Sequence, residues 1–73
     1  MVERAVPGSW VGVRSPRLGE GLARVVGVRR YGKAMLSAHD VLLQEGDVAY
    51  LAVTTRDVAA LDEFLAKGPV EEE

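Results

Sequence analysis

The sequence predicts an α+β fold, a four-stranded β-sheet with one C-terminal amphipathic helix in the order β-X-β-β-β-α. Three observations support this. Short valine-rich runs are separated by Gly-containing turns, as in strands with tight connections. Only the segment near the C-terminus repeats apolar residues at helical spacing. Between the first two runs, Pro16, Gly19 and Gly21 exclude a long helix, so Arg14 to Leu22 is predicted to be the irregular segment X.

Four segments alternate apolar and polar residues, or are apolar throughout, and end at turn-forming residues: Met1 to Val6, Ala23 to Arg30, Ala34 to Ser37 and Val48 to Val53. The second and third flank the turn Tyr31-Gly32-Lys33, which predicts a hairpin. The fourth follows a Gly46-Asp47 turn, in which Asp47 is expected to be structural. Because its odd and even positions are both apolar, we expect this strand to be buried on both faces.

The helix is predicted to start at Thr54 and to end before Gly68-Pro69. Thr54 and Asp57 resemble a capping box. A stripe at spacings of three and four residues should face the sheet: Val58, Leu61, Phe64 and Leu65. The single tryptophan, Trp10, is expected in the core.

The chain has 73 residues, which predicts one small domain over residues 1–69 and a disordered acidic tail over residues 70–73. One helix covers only one face of a four-stranded sheet. The second face, expected to carry half of the strand valines, would remain open, since the segment X is short and polar. An open apolar face commonly marks a protein interface, so the sequence predicts a homodimer that shares these surfaces or strand edges.

Composition excludes several classes of function. The net charge of −2 and the pI near 5.3 argue against a nucleic-acid partner. The absence of cysteine and the single histidine exclude a disulfide framework and a zinc-thiolate site, so no metal or resident cofactor is expected. No apolar run is long enough to span a bilayer and no signal pattern is present, which predicts a cytoplasmic protein.

A local basic cluster in this acidic chain provides the candidate ligand-binding residues, together with the nearby histidine: Arg24, Arg29, Arg30, Lys33 and His39. Guanidinium groups bind anions in bidentate fashion, so a small anionic ligand is one interpretation. The other, which is commoner, is a solvated hairpin whose charges protect its edges. His39 beside Asp40 could act as an acid–base pair or pH sensor, or be a loop residue held by Asp40.

The ordered set of segments resembles the TrkA C-terminal domain family, the C-terminal subdomain of regulators of K+ conductance. The matching segments are VVGVRR, YGK, AMLS, HD, LQEGD, VAYLAVT and RDVAALDEFL, within a resemblance that spans about Val2 to Leu65. The resemblance implies a dimeric regulatory module of a potassium channel, potassium transporter or cation/proton antiporter. Its partner would be that membrane protein or its nucleotide-binding domain, which would place the chain at the membrane periphery.

Some members of this family bind cyclic di-AMP at the dimer interface. In those members an Asn precedes the valine-rich strand and a Pro follows the short strand, whereas this chain has Arg24 and Ala38 there. The resemblance therefore leaves cyclic di-AMP, another anionic ligand and no ligand all open. The Rossmann half that often precedes the domain is absent from this sequence, so NAD or ATP binding is not implied.

A small swapped-hairpin DNA-binding regulator is the alternative, because such proteins are also dimeric and carry a Leu-x-x-Gly-Asp turn. The acidic net charge and the C-terminal helix argue against it. We do not expect an enzyme, since the sequence does not combine a nucleophile, a base and an oxyanion site at a spacing typical of an active site.

Overall fold

A computed structural model describes residues 1–36 and 40–69. These residues form four strands and one α-helix: β1 (Val2–Ala5), β2 (Arg24–Arg30), β3 (Lys33–Leu36), β4 (Val48–Ala52) and α1 (Val58–Lys67). The predicted α+β layout, with an irregular segment between the first two strands, is confirmed. His39, the predicted strand end at Ser37 and the predicted tail over residues 70–73 lie outside the described residues.

The four strands form one sheet in the order β1-β4-β2-β3, and all neighbouring strands are antiparallel. The β2–β3 hairpin is confirmed, with Arg30 paired to Lys33 around Tyr31-Gly32. Tyr31 and Gly32 have φ angles of 53° and 76°, the positive values that a type I′ turn requires at both central positions. This turn matches the right-handed twist of the strands, so the hairpin is specified locally.

A β-bulge in β2 decides which of its side chains face the helix. Val25 pairs with Leu51 and Gly27 pairs with Tyr50, so Val26 is the extra residue. Without a bulge, residues three apart in a strand point to opposite faces. The inserted residue instead places Val25 and Val28 on the same side of the sheet, where both contribute to the core.

The core lies on the side of the sheet that α1 covers. Its fully buried members come from the sheet, the helix and the irregular segments: Trp10, Leu18, Val28, Leu43, Ala49, Leu51 and Leu61. The indole nitrogen of Trp10 donates to the carbonyl of Leu65 at 3.0 Å, which satisfies one acceptor in the last turn of α1. The expected core position of Trp10 is confirmed.

The irregular segment contributes more to this face than its composition indicates. Its 3₁₀ turn at Ser15–Arg17 buries Ser15 and presents Leu18 to the core. Ser15 is held by its backbone NH, which donates to the carbonyl of Val41 at 2.8 Å, and by its hydroxyl, which accepts from the Val41 NH at 3.1 Å. The irregular segment therefore shares the core with α1 and, as expected, does not form a layer on the opposite side of the sheet.

Burial of β4 on both faces was also expected, and the single chain does not provide it. Ala49 and Leu51 are fully buried, whereas Val48 and Tyr50 are half-buried and Ala52 is exposed. The reason is that α1 and the irregular segment cover the same side of the sheet. The opposite side has no layer from the described residues.

The helix is confirmed, although its α-helical part begins later than predicted. A 3₁₀ turn at Thr55–Asp57 precedes it, and the Thr54 hydroxyl donates to the Asp57 carboxylate at 3.1 Å. Three members of the predicted stripe contribute to the core, with Leu61 and Leu65 buried and Phe64 packed against them, and the helix ends before Gly68, whose φ is 86°. Within the described residues, no helix is long and apolar enough to cross a bilayer.

Candidate functional site

The side of the sheet opposite α1 is the candidate functional surface, and we call it the open face. Strand alternation and the register place these residues on it: Glu3, Ala5, Arg24, Gly27, Arg29, Ala34, Val48, Tyr50 and Ala52. The bulge directs both Val25 and Val28 to the core. The open face is therefore a mixed surface of small, aromatic and charged residues.

Arg29 lies on the open face, near the end of β2. Its guanidinium carbon is 5.9 Å from the centroid of the Tyr50 ring, and its Nη1 donates to the Tyr50 hydroxyl at 3.3 Å. Its Nη2 is 3.6 Å from a carboxylate oxygen of Glu3, across β4. The side chains of Arg29 and Glu3 remain 41% and 57% exposed, so both charges are available to a partner.

Arg30, the next residue, points to the other side and forms a structural pair with Asp47. Its Nε and Nη2 donate to the two carboxylate oxygens of Asp47 at 2.9 and 2.8 Å, and Nη2 also donates to the Leu42 carbonyl at 3.0 Å. The Asp47 side chain has no exposure to solvent and also accepts from the backbone NH of Gln44 at 2.9 Å. These contacts fasten the turn before β4 to the end of β2.

The same hydrogen bonds set the charge states of this pair. Hydrogen bonding to Arg30 holds the pKa of the Asp47 carboxyl below its usual value, against the opposing effect of burial. The hydrogen bond to Asp47 correspondingly raises the pKa of Arg30. Asp47 is therefore an ionised structural residue, as the turn sequence predicted.

The five predicted ligand-binding residues do not share one surface. Arg24 and Arg29 lie on the open face, near the two ends of β2. Arg30 and Lys33 form a cross-strand pair on the opposite side, where Arg30 is held by Asp47. His39 lies outside the described residues. A ligand-binding role for these residues stays a prediction, and on the open face it concerns Arg24 and Arg29.

Two residues of the open face were not recognised as functional candidates from the sequence, namely Glu3 and Tyr50. The alternation of β1 does place Glu3 on a single face, but only the register brings it beside Tyr50, 47 positions away. No group of three or more His, Cys, Asp or Glu side chains within residues 1–36 and 40–69 could hold a metal ion.

Comparison with known proteins provides one significant relative. No protein-family model matches the chain, and no solved structure matches it at a significant level. Over 65 residues the chain is 42% identical to the Trk system potassium uptake protein TrkA of Streptomyces coelicolor, and the match covers 88% of this chain. Over these 65 residues the chain is similar to that TrkA protein. It spans 29% of the length of that TrkA protein.

Proposed function

We propose that this chain is a regulatory module of a potassium uptake system, equivalent to the C-terminal domain of TrkA, and that it acts by binding rather than by catalysis. The 42% identity to a TrkA protein over 65 residues carries this proposal. The four strands and the C-terminal helix agree with the βαβββα-like layout that the resemblance implies, except that two 3₁₀ turns, at Gly8–Trp10 and Ser15–Arg17, replace the first helix of that layout. We propose a cytoplasmic location, at the membrane only through a transporter partner.

The proposed mechanism is a change in dimer geometry. Two copies would associate, and a ligand or a neighbouring nucleotide-binding domain would favour one arrangement of the pair over another. A potassium channel, potassium transporter or cation/proton antiporter bound to the dimer would then respond to that arrangement. Such coupling requires only that the effector bind the two arrangements with different affinity.

A small anionic ligand is the effector we propose to test first. Arg24 and Arg29 present guanidinium groups on the open face, and Arg29 already lies against an aromatic ring, an arrangement that suits a nucleotide base and its phosphate. Cyclic di-AMP is one ligand of this class.

The alternative function, a swapped-hairpin DNA-binding regulator, is supported only by the Leu-x-x-Gly-Asp turn that ends at Asp47. The net charge of −2 opposes association with phosphate.

The test of the proposed function is potassium uptake in cells that lack this chain. At limiting external potassium, we expect deletion to change the rate of uptake, and reintroduction of the full chain to restore it. Unchanged uptake over a wide range of external potassium would exclude the function.

The proposed effector is tested separately. The melting temperature of the purified chain is measured with and without cyclic di-AMP. A rise in melting temperature supports an anionic effector, and no change excludes that ligand.

A further inference from the structure

The sheet has two edge strands, β1 and β3, and a side chain protects the backbone of β1. Val6 donates its backbone NH to the Asp47 carbonyl, so the alternation along β1 turns the polar backbone groups of Glu3 away from the sheet. Nη1 of Arg4 donates to that Glu3 carbonyl at 2.9 Å, while Nε and Nη2 of Arg4 donate to Asp62 at 2.7 and 3.2 Å. Arg4 therefore covers the outer side of β1 and is held there by α1.

The outer side of β3 has no such protection from residues 1–36 and 40–69. Arg30 and Lys33 close the two-residue turn and form a hydrogen-bonded pair. The next residue, Ala34, belongs to a non-hydrogen-bonded pair, so its NH and carbonyl point away from β2. Ala34 is small and exposed, and no side chain among the described residues bonds to its backbone. This edge therefore presents a free donor and a free acceptor to an incoming strand.

The side chains along this edge favour an acidic partner. Lys33 is exposed and forms no ion pair with residues 1–36 or 40–69. Its cross-strand neighbour Arg30 is bound to Asp47, so a carboxylate placed beside Lys33 from outside would meet an uncompensated positive charge. Met35 packs against the core, and an apolar side chain opposite it would remove further apolar surface from water.

The turn before β3 has a feature that its own stability does not explain. Tyr31 occupies the first central position with a φ of 53°, where Asn, Asp and Gly are preferred and aromatic residues are rare. Its side chain is 92% exposed, so packing against the described residues does not compensate for this conformation. Tyrosine is enriched at protein contacts, because its ring supplies apolar area and its hydroxyl supplies a hydrogen bond. Tyr31 therefore extends the unprotected edge at the end where β3 begins.

We infer that the outer edge of β3 binds an extended segment of another protein, which adds a strand to the sheet and carries a carboxylate opposite Lys33 and an apolar residue opposite Met35. Backbone hydrogen bonds to Ala34 provide affinity, and the side chains provide selectivity. A second copy of this chain, added through the same edge, would bring another Lys33 and so would not match the charge. The inference goes beyond the proposed function, since it assigns a further surface and partner class and depends neither on potassium nor on dimerisation.

Peptide binding followed by nuclear magnetic resonance tests this edge. The probe is a short synthetic peptide in which Val and Glu alternate with Thr, and its matched control has Lys in place of Glu. With about 1 mM of the Glu peptide, exchange of the Ala34 amide hydrogen should slow at least about twofold, because a complex with a Kd of about 1 mM already occupies half of the chains. The Lys peptide should leave the exchange rate unchanged.

Two variants assign the contact to β3. Lys33→Glu should reverse the preference, so that the Lys peptide slows exchange at Ala34 and the Glu peptide does not. Ala34→Pro removes the outward NH, a change that an edge strand tolerates, and should weaken binding at least about tenfold in a chemical-shift titration. Ala5→Pro, on the outer side of β1, is the matched control and should bind the Glu peptide as wild type does. Circular dichroism checks that each variant is folded.

The outcomes separate the possible occupants of this edge. A preference for the Glu peptide that Lys33→Glu reverses supports the inference, and this variant decides the question even if Ala34→Pro does not fold. Equal protection by both peptides, protection by neither, or binding that a folded Ala34→Pro variant retains overturns it. Protection of the Ala34 amide in the free chain that increases with protein concentration would identify a second copy as the occupant, which also overturns it. Each of these outcomes leaves the potassium-uptake test of the proposed function unaffected.

Discussion

Arg29 and Arg30 are neighbours in β2, yet they serve opposite sides of the sheet. Arg30 makes two charge-assisted hydrogen bonds to Asp47, whose side chain is inaccessible to solvent. Arg29 lies in contact with water, with one hydrogen bond to Tyr50 and a 3.6 Å approach to Glu3. Both residues are arginines on the same strand. Their environments differ because successive side chains along a strand point to opposite sides of the sheet.

This difference separates a structural role from an interaction role. Removing one member of a buried pair leaves the other charge desolvated and unpaired, so the fold depends on both. An exposed pair contributes little to stability, because water and salt screen it. Arg30 therefore has a structural role, and Arg29 remains available to bind a ligand or a second copy.

Identical substitutions at the two arginines should have very different effects on stability. Arg30→Met leaves the buried Asp47 carboxylate without its partner, so we expect a loss of about 3 kcal/mol in the free energy of unfolding. Arg29→Met, the matched control, should cost no more than about 1 kcal/mol. Urea denaturation at one fixed protein concentration measures both, and equal losses would contradict the distinction between the two sides.

The two valines at positions 28 and 48 extend the comparison to apolar residues. Val28 is fully buried against the core, whereas Val48 is half-buried on the open face. We expect Val28→Ala to cost about 2 kcal/mol and Val48→Ala less than about 1 kcal/mol in dilute solution. If the open face is a dimer contact, the cost of Val48→Ala should increase with protein concentration in thermal unfolding experiments. A cost independent of concentration would argue against that contact.

Acidification should reduce the difference in the free energy of unfolding between Arg30→Met and wild type. Since Arg30 lowers the pKa of Asp47 in the folded state, this pair stabilises the fold above the unfolded pKa of about 3.9. That contribution is lost as the pH falls through the lowered folded value. Asp62 also has a lowered pKa, through its hydrogen bonds to Arg4, so Arg4→Met serves as the control. Urea midpoints from pH 7 to pH 2 should converge for Arg30→Met and wild type, and parallel curves would refute the role of this pair.

Local signals in the sequence predicted most of the elements. The β2–β3 hairpin depends on a two-residue turn, and the helix depends on its apolar stripe and on Gly68 at its end. The candidate site was predicted less completely, because the basic cluster was treated as one group. The bulge at Val26 and strand alternation instead put Arg24 and Arg29 on the open face and Arg30 on the other side.

The sequence by itself determined the α+β class, the hairpin, the C-terminal helix and the structural role of Asp47, since short-range turn chemistry and side-chain periodicity specify each of them. Only the tertiary structure decided that the irregular segment shares the core with α1, that Glu3 reaches Arg29 across β4, and which residues lie on the open face. These features depend on register and packing between residues far apart in the chain, which the order of residues along a single segment does not encode.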